Sequence, residues 1–209
     1  VLNLEFDYRP KSNLQRLRDV SILIPFVDIP FSPYKLGISM FLAELLSYAT
    51  RHEQANGVLY LFVQNSTEWL DRAKGSIGNF HIVFMIQLSF HLGFMPNIES
   101  GMSGDYFDLV DGCFVAHVPS HVHYLNKEDS MRLVSLLRLE YKTMHLYTMS
   151  RIERNRCVEV ILEYYKLHLP GFPEIEEFLL FFRNCLLSLF RFPRLLDVNG
   201  KQTLAMSSV

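Results

Sequence analysis

Three histidines, His117, His121 and His123, are the residues whose type and spacing most directly suggest chemistry. Neutral imidazoles this close together can bind Zn²⁺ or another transition metal. No carboxylate or cysteine lies within the stretch, and Pro119 disfavours a regular scaffold for it. Because a closed zinc site needs four well-placed ligands, we expect a polar loop without a metal or other cofactor. A metal-dependent enzyme that uses these histidines stays open as one alternative.

The common catalytic motifs are not found in this sequence. It contains no His-Glu-x-x-His, no Gly-x-Ser-x-Gly and no Walker-type glycine loop. Cys113, Cys157 and Cys185 are scattered and odd in number, which favours a reducing compartment over a disulfide scaffold. We therefore predict that the protein is not an enzyme and has no catalytic residues.

The distribution of charge along the chain is more informative than its total. The formal net charge is −2, so the chain as a whole is not a basic protein. Residues 36–120 nevertheless hold only three cations against eight acids, and the cations concentrate on either side. Such local basic stretches are where a polyanion could bind. The first comprises Arg9, Lys11, Arg16 and Arg18, and the second includes Arg132, Arg138, Lys142 and Arg156.

Arg151 and Arg154 differ from the other cations in their expected position. Ser150 and Glu153 have the spacing of a capping box, which places both arginines in the first turn of a helix. The helix dipole and the unpaired backbone N–H groups already favour an anion there. The two arginines thus form a candidate site for a phosphate or a carboxylate. The alternatives are an ordinary solvated face or pairing with glutamates of a neighbouring helix.

The elements that must position these residues are mostly helical. Hydrophobic residues make up 49% of the chain and charged residues 20%, as in a folded domain. Ser32 and Pro33 begin a first helix, a second runs from about Gly57 to Arg72, and Asn79 begins a third that ends at Gly93. Their wide apolar faces and short connections predict a helical bundle.

The N-terminal residues predict something different. Leu2, Leu4, Phe6 and Tyr8 alternate with other residues as in a half-buried strand. A single strand forms no stable sheet of its own, so we expect partners outside the chain's helical part. The basic stretch that follows, and residues 22–33, are interpreted as linker.

A small β insert is predicted at about residues 97–124. Asp111-Gly112 lies between two β-like runs, 106–110 and 113–117, which is a hairpin signal. Helices resume at Asn126 and again at Ser150, the latter reaching about His168. A Phe-rich last helix and an irregular tail, residues 192–209, complete the prediction.

Several segments, in order, resemble the C-terminal part of the RecO family of recombination mediators, in particular its Bacteroidetes members. Lys35–Leu46 resembles the helix that opens the family's C-terminal domain. Asn79–Asn97 is similar to a stretch ending in Leu-Gly-aromatic-x-Pro. Phe107–Phe114 and Arg156–His168 continue in the same order and spacing. The resemblance covers roughly residues 1–190.

The resemblance implies a mainly α fold: a helical domain at 23–191 with the β insert, preceded at 1–22 by the last strand of an OB-fold and its basic exit. It implies binding of single- and double-stranded DNA, strand annealing, and help in loading RecA together with RecR. It also implies binding of the acidic C-terminal tail of single-strand DNA-binding protein, for which we assign Arg151 and Arg154. The eight cations of the two basic stretches are assigned to DNA. A cytoplasmic, nucleoid-associated location without membrane contact follows from the same resemblance.

The sequence also departs from the family pattern. Many relatives carry a four-cysteine zinc knuckle after the Leu-Gly-x-x-Pro phrase, and residues 97–105 lack these ligands. We therefore expect a knuckle without zinc. Glu176-Glu177 replaces a Lys-Ser pair before the last helix, which argues against a basic contact there. A helical scaffold that binds only proteins and never contacts DNA remains the main alternative, since the net charge is slightly negative.

Overall fold

The computed structural model describes residues 1–12, 14–51, 53–98 and 106–174. Within these ranges the chain forms two small antiparallel sheets and five α-helices. The predicted Phe-rich last helix, Glu176-Glu177 and the tail lie outside the described residues. The elements are β1 (Leu2–Asp7), β2 (Arg16–Ile22), α1 (Pro33–Ala49), α2 (Gly57–Arg72), α3 (Phe80–His91), β3 (Tyr106–Asp108), β4 (Cys113–Val115), β5 (Tyr124–Leu125), α4 (Lys127–Leu137) and α5 (Arg151–His168).

Local signals set most helix ends as predicted. Ser32 caps α1 with Pro33 in its first turn, and Asn56 caps α2 by accepting from the N–H groups of Val58 and Leu59. The Asn126 side chain caps α4, and Ser150 and Glu153 form a complete capping box at α5. Mainly α structure with a bundle of helices is thus confirmed.

The N-terminal region contains a strand, β2, that was not predicted from the sequence. β1 pairs with β2 in antiparallel register, from Leu2 opposite Ile22 to Asp7 opposite Arg16. The prediction of a linker is wrong for residues 16–22. Both faces of β2 are exposed, so this edge strand can carry the polar residues Arg16, Arg18 and Asp19. These residues hide the alternation of apolar and polar residues that would have indicated a strand.

Helix α3 is the centre of the bundle. Nine of its residues are buried, and it packs against α2, α4 and α5. Each fully buried Leu or Phe contributes roughly 1.5–3 kcal/mol relative to an exposed one, so this helix dominates the core. The buried Tyr165 hydroxyl of α5 donates a hydrogen bond to the backbone oxygen of Met85 at 2.6 Å, which joins the two helices.

The insert forms a second, smaller core against the bundle. β3 is the middle strand, with Phe107 opposite both Phe114 of β4 and Leu125 of β5. These residues pack with Leu133 of α4 and Val160 of α5. The predicted hairpin is confirmed, although its strands are shorter than expected and residues 109–112 form the turn. Asp108 holds this turn by accepting from the N–H groups of Val110 and Asp111.

A carboxylate fixes the segment before α1. Asp71, at the end of α2, is buried and accepts hydrogen bonds from the backbone N–H groups of Val27, Asp28 and Ile29. Lys35 is also buried; its ammonium group donates to the backbone oxygens of Asp71 and Ala73 and lies 2.6 Å from an Asp28 carboxylate oxygen. Buried charges are tolerated when they are paired and hydrogen-bonded in this way.

Candidate functional site

A cleft between α4 and α5 collects two of the predicted DNA-binding arginines. Its floor is apolar and its edge carries Arg132, Arg156 and Asp129. α4 and α5 are both capped at their N-termini by local side chains, so these arginines project from well-defined helices. The apolar lining residues are Leu133, Leu136, Cys157, Val160 and Ile161.

Both cleft arginines are already paired with carboxylates. Arg132 lies 3.3 Å from a Glu128 carboxylate oxygen and 3.8 Å from one of Glu153. Arg156 lies 3.4 Å from a carboxylate oxygen of Asp129 and 4.0 Å from one of Glu159. An incoming anion must therefore compete with the protein's own acids for these two guanidinium groups. One side chain of each pair is 43% exposed or more. Pairs at the surface contribute only about 0–1 kcal/mol, so exchange of partners costs little.

Cys157 lies on the floor of the same cleft. Burial raises the pKa of its thiol to about 11, so the sulfur is uncharged at neutral pH. The Sγ atom is 3.8 Å from the Sδ atom of Met149. The cleft therefore has an apolar, almost completely buried base under a charged rim.

The structure engages one of the two arginines that the sequence placed in one anion site. Arg154 turns back and donates a hydrogen bond to the backbone oxygen of Met149 at 2.8 Å. Arg151 is exposed, and no ion pair of it occurs among the described residues. The Ser150 backbone N–H donates to Glu153, which holds the pKa of that carboxyl below its usual range. Of the pair, Arg151 alone faces solvent freely.

The remaining cations of the second basic stretch follow α4. Arg138 is the C-terminal cap residue of α4, and Lys142 lies in the connection to α5. Both side chains are exposed. Together with Arg151 they are exposed cations near the connection of α4 to α5.

The cations of the first basic stretch lie on the hairpin β1–β2. Arg9 and Lys11 lie in the turn between the strands and Arg16 begins β2; all three are exposed. Arg18 pairs with Asp7 across the hairpin at 2.7 Å. Gln15 shapes the turn by accepting from the Arg9 N–H and donating to the backbone oxygens of Arg9 and Ser12.

Two of the three histidines contact carboxylates of the protein. His121 Nε2 lies 3.1 Å from an Asp108 oxygen, and His123 Nδ1 lies 2.8 Å from a Glu163 oxygen. His117 is exposed. Within the described ranges, no group of three or more His, Cys, Asp or Glu side chains could hold a metal ion. In the structure, His123 thus joins the insert to α5.

One aromatic feature had no sequence signal. Trp69 of α2 is stacked with Phe80 of α3 and with Tyr141, at centroid distances of 5.6 and 5.2 Å. Trp69 is partly exposed and lines an open cleft with Asn65, Glu68, Arg72 and Ala73. From the sequence alone, a single tryptophan in an amphipathic helix cannot be distinguished from a core residue. Its partly exposed position and its stacking on Tyr141 become visible only in the fold.

Comparison with known proteins finds a family whose model matches most of the described residues. Residues 30–174 match the family model described as Recombination protein O C terminal. No solved structure matches the chain significantly. Among the described residues, no helix is both long and apolar enough to cross a membrane.

Several curated proteins are similar over most of the chain, each named DNA repair protein RecO. The relative from Phocaeicola vulgatus is 45% identical over 176 residues, which is 84% of this chain and 73% of the relative. The relative from Bacteroides fragilis is 44% identical over the same shares. The relative from Porphyromonas gingivalis is 30% identical over 84% of this chain and 72% of its own length.

Proposed function

This chain belongs to the RecO family, and from that premise we propose that it is a non-enzymatic recombination mediator in DNA repair. In this role it binds single- and double-stranded DNA and promotes annealing. Together with RecR it helps to load RecA onto strands coated by single-strand DNA-binding protein, in the cytoplasm at the nucleoid. The observation that carries the proposal is the family match across residues 30–174, supported by relatives named for DNA repair.

We propose that the exposed cations make the DNA contact. Arg9, Lys11 and Arg16 on the hairpin, and Lys142 and Arg151 beside the bundle, are exposed. Arg138 is exposed too, but it already interacts with another residue. Arg18, Arg132 and Arg156 share their charge with carboxylates, so they contribute less to phosphate binding. A cation that is already neutralised displaces fewer counterions from DNA.

Salt dependence of binding tests this contact. Fluorescence anisotropy of a labelled oligonucleotide is measured with the full chain between about 50 and 200 mM salt. Phosphate binding predicts an affinity that falls steeply as salt rises. An affinity that stays flat over that range contradicts phosphate binding. No binding even at the lowest salt favours the alternative, a scaffold that binds proteins only.

We propose the α4–α5 cleft as the binding site for the acidic C-terminal tail of single-strand DNA-binding protein. A tail carboxylate replaces Glu153 or Asp129 on Arg132 or Arg156. The floor of Leu133, Leu136 and Ile161 is almost completely buried, so an apolar tail residue reaches it only when α4 and α5 move apart. Arg151 is exposed in the first turn of α5 but does not line this cleft.

Two matched double variants test the tail site. A labelled acidic tail peptide is titrated against Arg132→Ala with Arg156→Ala, and against Arg151→Ala with Arg154→Ala. The first pair should weaken binding about tenfold or more, because charge-assisted hydrogen bonds to carboxylates are strong. Binding equal to wild type in both variants would remove all four arginines from the site.

We further propose that the hairpin β1–β2 is the end of an OB-fold and that the insert is a knuckle without zinc. Both strands of the hairpin are largely exposed, including Leu4, Phe6 and Ile22, and an isolated two-stranded hairpin is marginal in water. Hydrogen exchange of the hairpin amides, compared between this chain and one extended upstream, tests the first part. Equally fast exchange in both contradicts it. Elemental analysis for zinc tests the second part.

A further inference from the structure

Helix α2 carries a partly exposed aromatic side chain, Trp69, whose orientation is fixed by two aromatic neighbours. Trp69 lies nearly parallel to Phe80, with an interplanar angle of 8°, and is also stacked with Tyr141 at 28°. Phe80 is fully buried, and the Tyr141 hydroxyl donates to Ser66 Oγ at 2.9 Å. Because its neighbours are held in the core, the indole ring is preorganised for contact with a flat ligand.

The cleft that Trp69 lines continues into a second one. Arg72 and Ala73 line both clefts, so the two are contiguous, and we call them together the Trp69 furrow. The second part is lined by the linker before α1 and by the loop after α2, including Lys74 and Gly75. The furrow is therefore an aromatic surface followed by exposed cations.

The acids of the furrow are largely engaged within the protein. Both carboxylate oxygens of Glu68 are contacted, one by Gln64 Nε2 at 3.0 Å and the other by Arg72 at 3.5 Å. Asp71 accepts from three backbone N–H groups, and Asp28 pairs with Lys35.

The exposed cations of the furrow, Arg72 and Lys74, form weaker interactions within the protein than its acids do. The Arg72 side chain is 75% exposed, and among the described residues its ion pair is the long contact to Glu68. Lys74 is exposed and forms no ion pair with any residue that the structure describes. These two guanidinium and ammonium groups are the ones that a phosphate could approach.

We propose that the Trp69 furrow binds single-stranded DNA, with one unpaired base stacked on Trp69 and the adjoining phosphate held by Arg72 and Lys74. Proteins that bind single strands combine stacking aromatic side chains with a positively charged groove in this way. Residues three and four apart on a helix are neighbours, which places Arg72 and Ala73 directly beside Trp69. The inference rests on the proposed DNA binding and assigns it a site in α2, away from the α4–α5 cleft.

Trp69 itself supplies the test, because it is the only tryptophan of the chain. The full chain is titrated at low salt with a labelled oligothymidylate, and anisotropy of the label and emission of Trp69 are recorded together. Stacking predicts a quenching of Trp69 emission that saturates in parallel with the anisotropy. An abasic oligonucleotide of equal length, which keeps the phosphates, should quench much less.

Variants separate the base from the phosphate. Trp69→Leu removes the aromatic surface and should weaken oligothymidylate binding by about tenfold, whereas Trp69→Phe keeps a ring and should weaken it less. Arg72→Gln with Lys74→Gln should lower the salt dependence of binding. Circular dichroism establishes that each variant is folded. The quenching of Trp69 emission is measured on the wild-type chain, so that test does not depend on the folding of a variant.

The outcomes distinguish this inference from the proposed function. Binding by anisotropy with unchanged Trp69 emission would overturn the furrow and leave the DNA-binding proposal intact. Equal quenching by the abasic oligonucleotide would overturn base stacking. No binding by anisotropy at low salt would overturn both.

Discussion

Asp71 and Ile29 lie 42 residues apart in the chain, and the Asp71 carboxylate accepts a hydrogen bond from the Ile29 backbone N–H at 2.8 Å. The same carboxylate accepts from Val27 and Asp28, so one side chain orients three consecutive amides. The linker from the hairpin is thereby attached to the end of α2. Any motion of the hairpin relative to the bundle must begin before residue 27 or break this attachment.

Replacement of Asp71 by Asn should lower the free energy of unfolding by about 2–3 kcal/mol. The amide has one acceptor oxygen for three backbone N–H donors, of which that of Ile29 is buried, and loses the charge that strengthens these bonds. Urea denaturation followed by circular dichroism measures the difference. Asp111→Asn, at an exposed acid, is the matched control and should change stability by less than about 0.5 kcal/mol. Equal stability of both variants contradicts the assigned role.

The effect of the Asp71 substitution should depend on pH. Burial alone would raise the pKa of Asp71, but the N–H groups of Ile29, Val27 and Asp28 and the charge of Lys35 together hold it below the ordinary value of 3.8. A carboxyl whose pKa is depressed in the folded state stabilises above its unfolded pKa and loses this contribution as pH falls through the folded value. The difference between wild type and Asp71→Asn should thus be constant near neutrality and shrink below about pH 4. A difference unchanged at pH 3 would contradict this.

His81 should make the protein sensitive to mild acid. Burial, and next the nearby charge of Arg154, lower the pKa of His81 to about 3. An unfolded histidine titrates near 6.5, so between these values the unfolded chain binds a proton that the folded chain does not. Stability therefore falls with falling pH, by roughly 2–3 kcal/mol from pH 6 to pH 4 for this residue.

Urea midpoints of wild type and His81→Gln at several pH values measure this contribution. The variant lacks the titrating group, so its stability should fall less over the same range. His145→Gln removes an exposed histidine and serves as the control, with the wild-type pH dependence. Parallel curves for wild type and His81→Gln would show that His81 is not the source.

Gly112 in the insert turn should tolerate no side chain while Tyr164 is present. Its φ is +65°, which favours glycine, and a Cβ atom would lie 2.6 Å from the Tyr164 hydroxyl oxygen. Gly112→Ala should destabilise by about 2–4 kcal/mol through the backbone and the close contact. In the Tyr164→Phe background the nearest ring carbon is 3.6 Å away, so only the backbone cost of about 1–2 kcal/mol should remain. Additive effects in a double-mutant cycle would contradict the contact.

Features that depend on neighbouring residues could be predicted from the sequence. The helix starts at Ser32, Asn126 and Ser150 and the end of α3 at Gly93 were predicted correctly because a helix end is decided within one turn. The family itself was also identified from ordered segments, and the match over residues 30–174 confirms it.

Features that depend on distant residues could not be predicted. Asn79 is at the N-terminal end of α3 as expected, yet its side chain does not cap the helix; it donates to the backbone oxygens of Met144 and Tyr147. Asp129 and Glu153 pair with arginines of the other helix, which no spacing rule reveals. The same holds for Trp69 of α2, because its stacking partner Tyr141 lies in the connection between α4 and α5.

Because the cleft arginines are already paired with carboxylates, the two basic stretches should differ in their contribution to the salt dependence of DNA binding. Arg9→Gln with Lys11→Gln removes two exposed cations, and Arg132→Gln with Arg156→Gln removes two that already contact carboxylates. Each phosphate contact contributes about one to the slope of log affinity against log salt. The hairpin pair should therefore reduce the slope by about two, and the cleft pair by less than about one. The measurement is oligonucleotide anisotropy at four or more salt concentrations; a larger loss from the cleft pair would place the principal phosphate contacts on α4 and α5 instead of the hairpin.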